Sequence, residues 1–556
     1  MRDSLQFLAE QYSTFTDVFG ALRLTKSQLL LLSLRKLCHD ISFQWSDAKE
    51  IWQCSNPRIV YTIAALALLL TVYLFDWAFL SYTSLTRQGV PRLRRLKGIH
   101  RWDYEAILQQ GAREYPDSPY IISYSGYEYA VYPSKCFNEV QRLPESTASG
   151  VEWFTHVITQ GWRLLGTHSG VQHKTFAIDL ARAVPVQVHQ RQKQTRSAFD
   201  AVFGPCTEWT SIRLFWNIQK IVAVTNATSL TGADLGTNPR WLTAVQFFPV
   251  SIMLGVYGSH TVPRIIRPLV SPVALLPARM FAKYMEVLLR PMARHDLEEY
   301  ENASRTGEKE KLVSATSNKK FPIVAWLLSR MRPEHRTLDR IIHYLIVVAF
   351  MSTGTSAGAL YYTIGELASR PELVSELREE IASFMVDGNL PLSHLDELKK
   401  LDSVMCESAR LYPISHLVLN RRLRKPVKLT VGPEMPAGSL ICVDAFHLTQ
   451  SEDMWGNPTV FEPMRFLKLR EQPGNQGRYL FTSTGPEFPS WGDGPQACPG
   501  RVFAANTLKI ILAELIMRYD LRLGTGGAMP KRSSMPNGSF APDLRFEVMV
   551  KRRENA

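Results

Sequence analysis

The stretch from Trp491 to Arg501 constrains the fold of this chain more than any other. It reads Trp-Gly-Asp-Gly-Pro-Gln-Ala-Cys-Pro-Gly-Arg and sets one cysteine, Cys498, in a frame of Gly and Pro. Gly492, Gly494 and Gly500 admit backbone torsions that a Cβ resists, while Pro495 and Pro499 fix φ and remove N–H donors. Such a loop brings its backbone close to a flat ligand and turns its remaining N–H groups on one sulfur. A helix-like run follows at once, from Val502 to Ile516. A cysteine just ahead of a helix N-terminus meets the positive end of the helix dipole, which favours thiolate. Thiolate is an axial ligand that pushes electron density into haem iron. A lone cysteine is more often a small buried hydrophobe, so the rest of the chain has to decide.

The chain has 556 residues, 45% hydrophobic and 21% charged, which excludes a disordered protein. Helix-like runs outnumber alternating ones. The seven cysteines are scattered and form no C-x-x-C pair. That argues against zinc-ribbon and thioredoxin-like folds, and for reduced thiols in a cytosol-facing body. The net charge of +13 is dispersed and no nucleic-acid module is present, so no nucleic-acid partner is expected. Membrane orientation and an acidic protein partner account better for the excess.

Between Arg58 and Arg87 the single charge is Asp76, and Trp77, Phe79 and Tyr82 follow the uncharged stretch Ile59–Phe75 like an interfacial belt. A membrane span needs about 20 apolar residues; a buried core helix is the plainer alternative. Arg87, Arg92, Arg94, Arg95, Lys97 and Arg101 come next, with Pro91 breaking the chain among them. The expected organisation is a lumenal segment 1–57, a transmembrane helix 58–86, a basic linker 87–101 and one large domain 102–556. The positive-inside rule places that domain on the cytosolic side, so a single-pass endoplasmic reticulum protein is expected.

Within the large domain, Tyr120–Val131 reads as a hairpin turning at Ser125-Gly126. Trp153 to Phe281 reads as mostly helical, and 301–320 as an exposed loop. Asp339–Leu367 reads as one long helix, apolar on all faces at its centre. Ser352-Thr353-Gly354-Thr355-Ser356 interrupts it. Hydroxyls there can bond back to the preceding turn and distort the helix, leaving either close packing or a groove with a hydroxyl placed to handle protons. Glu407 and Arg410 share one helix face at i,i+3, which is also a common surface pattern. Short strands are expected at Leu417–Leu419, Val427–Thr430 and Leu440–Val443. Arg465, between aromatics in Phe461–Phe466, would be partly buried and needs an acid, for which Glu407 is the obvious choice.

The helix with Thr355, the pair Glu407 and Arg410, the phrase Pro463-Met464-Arg465-Phe466 and the Cys498 loop follow one another in this order. Together they resemble the cytochrome P-450 family of haem-thiolate monooxygenases, over Trp102 to the C-terminus. The phrases Thr231-Gly232-Ala233-Asp234, Asn238–Leu242 and Leu401-Asp402-Ser403 are similar to fungal membrane-bound members of secondary metabolism. The resemblance implies a mainly α fold with a smaller β region, here preceded by the transmembrane helix. It implies haem b with Cys498 as the axial iron ligand. Arg421, Trp491, Gly494, Gln496 and Gly500 would contact the cofactor, and Glu407, Arg410 and Arg465 would form a structural triad. Thr355 would deliver protons, with Thr353 and Ser356 as secondary links.

The implied reaction inserts one atom of O2 into a hydrophobic substrate, terpenoids or indole-terpenoids being favoured. NADPH-cytochrome P-450 reductase would supply the electrons, with cytochrome b5 as a second candidate donor. Three positions depart from the family pattern: Trp491 for Phe, Gln496 for a basic residue, and Gly354 for an acid or His. The last keeps an alternative open, in which the same haem catalyses isomerisation, dehydration or desaturation without net oxygen insertion.

Overall fold

The computed structural model describes residues 61–68, 70–71, 88–100, 103–124, 127–158, 170–260, 262, 266–314, 321–524, 527–529, 533–534 and 540–554. The chain divides into two compact units, Met1–Ala78 and Phe79–Ala556. In the first, residues 61–68 and 70–71 are helical and exposed. The remainder of the expected 58–86 span, all of 1–57, and the hairpin turn Ser125-Gly126 lie outside the described residues.

The second unit begins its regular structure with α1 (Tyr104–Glu114), whose first turn Asp103 caps at Ala106 N–H. The hairpin β1 (Tyr120–Tyr124) and β2 (Tyr127–Tyr132) follows in antiparallel register, Tyr120 opposite Val131. Next come β3 (Ala148–Ser149), α2 (Gly150–Val157) and α3 (Ala181–Phe203). The expected helical run is then broken by the strand β4 (Thr210–Arg213) before α4 (Leu214–Thr231) and α5 (Pro239–His260). The helices α6 (Arg267–Ala274) and α7 (Leu276–Thr306) come next.

Residues 301–314 differ from the loop reading expected over 301–320, and 315–320 lie outside the described residues. The long helix α7 continues to Thr306, Gly307 ends it at φ 78°, and Lys309–Ser314 is helical again. Glu and Lys are good helix formers, and an exposed helix is as polar as a loop.

The helix α8 (Leu338–Ala368) is the expected long one and runs through the core. Its first half, Ile341 to Ala349, packs with α4, α5 and α7. Its second half, Ala357 to Ala368, belongs to a different apolar cluster. Ser352–Ser356 lies at the junction between the two. Both α5 and α8 are long and apolar enough to cross a membrane by length and composition, but 56% of each apolar window is buried inside the fold, as in core helices.

After α9 (Pro371–Phe384) and α10 (Lys399–Leu411) the chain enters β5 (Leu417–Leu423) and β6 (Leu440–Asp444). Val427 makes only an isolated bridge to Met435 rather than the expected strand. The helices α11 (Arg465–Glu471) and α12 (Arg501–Arg518) precede β7 (Tyr519–Leu523), β8 (Ser533–Ser534), β9 (Phe540–Ala541) and β10 (Glu547–Arg552). One sheet has the order β1-β2-β6-β5-β3, a second β4-β10-β7, and β8 pairs with β9. In β5 the register slips by one residue between Val418 and Arg421, and Leu419 has φ 50°. This bulge bends the strand immediately before Arg421.

Candidate active site

Five segments carry the residues singled out in the sequence: the Cys498 loop, β5, α8, α10 and the start of α11. The Cys498 loop is folded back on itself: the Cys498 N–H donates to Trp491 O at 2.8 Å, and α12 starts at Arg501. Gly492 and Gly494 have φ of 67° and 66°, values that disfavour a Cβ. At Gly494 a Cβ would lie 2.6 Å from the Gln141 carbonyl oxygen, so the loop could not approach its neighbour. A Cβ at Gly500 would meet nothing within 4 Å. The Trp491 indole donates to Phe481 O, and the two rings pack edge to face at 5.4 Å.

Cys498 is only partly buried, whereas Cys136, Cys206, Cys406 and Cys442 are buried. Burial pushes the Cys498 thiol up; a backbone hydrogen bond at Gly500 and the Arg501 charge pull the other way.

Gln496 spends its amide on the backbone. Nε2 donates to Leu143 O at 3.2 Å and Ala148 O at 3.0 Å, and Oε1 accepts the Gly150 N–H at 2.9 Å. It therefore stitches the loop to the start of α2. Arg421 lies against the same spot, since a Cβ on Gly150 would sit 3.3 Å from its Nη1. Its guanidinium is 5% exposed, and Nη1 donates to Asn420 O at 2.9 Å. Nε and Nη2 have no partner, and burial pulls the group down to about 10.

His173 was not singled out in the sequence. Its Nε2 lies 3.0 Å from Ala497 O, beside the cysteine. No spacing marked it, because its partner is more than three hundred residues away.

On α8 the hydroxyls bond back one turn: Thr353 to Ala349 O at 3.0 Å and Thr355 to Met351 O at 2.6 Å. Thr353 and Ser356 are buried, but Thr355 is exposed although it lies on the central helix of the core. A Cβ on Gly354 would meet only Pro249 at 3.9 Å, and one on Gly358 nothing within 4 Å. The helix thus has an open side at Gly354, Thr355 and Gly358. One turn earlier, Phe350 packs against Phe154 and Phe248, with centroids at 6.4 and 5.8 Å. Asn226 donates to Ser352 O at 3.2 Å and accepts from Thr507 of α12 at 2.9 Å, which brings the hydroxyl segment beside the helix that follows Cys498.

Glu407, Arg410 and Arg465 meet as a buried group, 0%, 1% and 8% exposed. Arg410 clasps Glu407 with both Nε and Nη2 at 2.8 Å, and Arg465 Nε reaches Glu407 Oε1 at 3.2 Å. The spare guanidinium donors go to carbonyls: Arg410 to Thr449 and Pro458, Arg465 to Trp455, Asn457 and Val460. A second buried acid, Asp402 at one end of α10, pairs with Arg470 of α11 at 3.1 Å and with Lys509 of α12 at 2.9 Å. It ties α12 to α10 and α11. The sequence showed Asp402 only as part of a phrase, because its partners are remote.

A flat iron porphyrin with anionic side chains fits these residues. Arg421 offers two buried donors that a carboxylate would satisfy. A Cβ at Gly500 or at Gly358 beside Thr355 would meet nothing within 4 Å, and Cys498 is a partly buried cysteine in the loop before α12.

Comparison with known proteins agrees. Residues 264–550 match the Cytochrome P450 family model. The chain is 40% identical to cytochrome P450 monooxygenase ffsD of Aspergillus flavipes, over 99% of this chain and 100% of that protein. It is 36% identical to pyrichalasin C-18 hydroxylase of Pyricularia grisea, over 90% of this chain and 92% of that protein. Among solved structures, retinoic acid bound cyanobacterial CYP120A1 superposes with a TM-score of 0.58 at 14% identity, covering 80% of this chain and 94% of that one.

Proposed function

The chain belongs to the cytochrome P450 family, and we propose that it hydroxylates an apolar secondary metabolite at a membrane surface. It is a monooxygenase that carries haem b on a thiolate. The observation that carries the assignment of that thiolate is Cys498 itself. Among the described cysteines it alone is not fully buried, and it sits in a Gly/Pro loop at the start of α12. Arg421 is the residue we assign to a haem propionate, because its buried donors lack an acceptor. Bound there, the haem supplies activation of dioxygen with two electrons, which the family draws from a reductase.

The protein's own part is to hold, to exclude water and to move protons. Glu407, Arg410 and Arg465 fix α10 against the segment before α11, and Asp402 fixes α10 to α12. Phe350, Phe154 and Phe248 make the space near the hydroxyl segment apolar, which suits a hydrophobic substrate. Thr355 presents a hydroxyl on the open side of α8. A hydroxyl does not titrate near neutral pH, so it passes protons through ordered water, and Gly354 leaves room for that water where a carboxylate would stand.

Two features support attachment to a membrane. Tyr61, Ile63, Leu66, Leu68 and Leu70 are exposed on the helix of the first unit. In the second unit Leu269, Val273, Leu276, Met280 and Val287 are exposed on α6 and α7. Isolated exposed apolar residues are ordinary, but a row of them marks an interaction surface.

The test is spectroscopic. Reduced protein with carbon monoxide should show the band that defines thiolate-ligated haem, and Cys498→Ala should lose it. Retention of the band in the variant would make another cysteine the ligand. Substrate-induced haem shifts should then be screened over terpenoids and indole-terpenoids, which the sequence phrases favour, and over pyrichalasin, after the relative's name. Incorporation of one oxygen atom per NADPH separates hydroxylation from isomerisation, dehydration or desaturation.

A further inference from the structure

Arg191 lies on α3 with no exposed surface, its guanidinium 4.3 Å from the centroid of the Phe503 ring. Nη2 donates to Thr507 Oγ1. Nε and Nη1 have no hydrogen-bond partner, and burial pulls the group down to about 9, with no acid holding it up. An apolar side chain of similar volume would fill this space at lower electrostatic cost, so packing does not account for an arginine here.

The bonds it starts lead to the active site. A guanidinium only donates. Thr507 Oγ1 must accept from it, and so gives its single proton elsewhere, to Asn226 Oδ1 at 2.9 Å or Phe503 O at 2.9 Å. With Oδ1 turned to Thr507, the Asn226 amide nitrogen points the other way and donates to Ser352 O at 3.2 Å. In an α-helix the Ser356 N–H closes its turn on that same carbonyl, and the turn contains Gly354 and Thr355. When Thr507 gives its proton to Asn226, the donor-only cation sets the direction of each bond in a chain that joins α3, α12, α4 and α8. Each bond in such a chain also polarises the next.

We propose that Arg191 is a positioning residue for the oxygenation. Through Thr507 and Asn226 it fixes Ser352 O, and so holds the Thr355 turn in register with the helix that follows Cys498. The inference rests on the reading of Thr355 as the proton-handling hydroxyl.

The experiment compares full-length, haem-loaded wild type with Thr507→Val, Arg191→Met and the double variant. Two readouts are taken: product and hydrogen peroxide per NADPH, and amide hydrogen exchange of residues 352–358 in the resting protein. Both single variants should keep the carbon monoxide band. Each should lower product per NADPH and speed the exchange by about fivefold, the size of effect one hydrogen bond commonly has. The double variant should be no worse than the worse single, because all three interrupt one chain.

Unchanged exchange, unchanged coupling, or additive losses in the double variant would each overturn the proposal. Failure of both single variants to bind haem would do so too, since the chain of bonds would then serve the fold. Failure of only one leaves the other to decide by the same two readouts. A wild type that shows the band but oxygenates nothing would sink the hydroxylase reading instead, and the exchange data would still judge the positioning.

Discussion

A single carboxylate, Glu407, answers two guanidinium groups with almost no water around any of the three. Deleting it leaves Arg410 buried against carbonyls alone and Arg465 with only the longer, half-exposed contact to Glu462 at 3.6 Å, a change that costs about 3–5 kcal/mol. Glu407→Ala is therefore expected to yield protein without haem rather than slow enzyme, measured as haem per chain after purification. A folded, loaded variant would show that the pair is peripheral. Thr355→Ala should behave in the opposite way: it keeps haem and substrate binding but diverts most NADPH into hydrogen peroxide, and added peroxide partly restores product. Unchanged coupling would reduce Thr355 to packing. The sequence singled out both places because their residues stand close together, Glu407 one turn from Arg410 and Thr355 within a hydroxyl run, and the structure shows the Glu407–Arg410 pair formed. Arg191, Asp402 and His173 were not legible. Each acquires its meaning from a partner between 68 and 324 residues away, and no local pattern distinguishes such a residue from an ordinary surface one.

Elements divide along the same line. The helix α8 was legible almost to the residue, since its long apolar run from Leu345 to Met351 and the apolar residues that resume after Ser356 hold no Pro to stop it. The strands β4 and β10 were not, because four and six residues become a sheet only by finding each other across the chain, Ile212 opposite Val548. The bulge in β5 that precedes Arg421 was equally hidden: it depends on the register with β6. Close approach of elements gives a further prediction. On α5, Gly255 faces the end of α6 so tightly that a Cβ would lie 2.7 Å from Ala274 O and 2.6 Å from Leu275 Cδ2. The leucine methyl can swing aside, but the carbonyl is backbone and cannot. Gly255→Ala should thus force the two helices apart and destabilise the protein by about 1–3 kcal/mol, as overpacking does. Thermal unfolding of the haem-bound protein measures this. An unaltered midpoint would mean that α6 moves freely on α5.

At the scale of the whole molecule the charge is the clue to orientation. The excess of +13 is dispersed along the sequence. One part of it, Arg87, Arg92, Arg94, Arg95, Lys97 and Arg101, follows the uncharged stretch Ile59–Phe75 directly, while Lys49 and Arg58 on the other side are offset by Asp47 and Glu50. Basic residues within about 15–20 positions of a span decide which end stays in the cytosol. The described part of that stretch is helical and its apolar side chains are exposed, with no cover among the described residues. We propose lipid as their cover, in keeping with the length of the stretch and the flanking charge. The expected outcome is that the protein stays with the membrane after alkaline carbonate washing. In sealed microsomes without detergent, protease should digest the haem-binding body and leave a small protected fragment that contains residues 1–86. Release by carbonate would show that the helix lies on the surface rather than across the bilayer. Protection of the body, with loss of the N-terminal fragment, would overturn the proposed orientation.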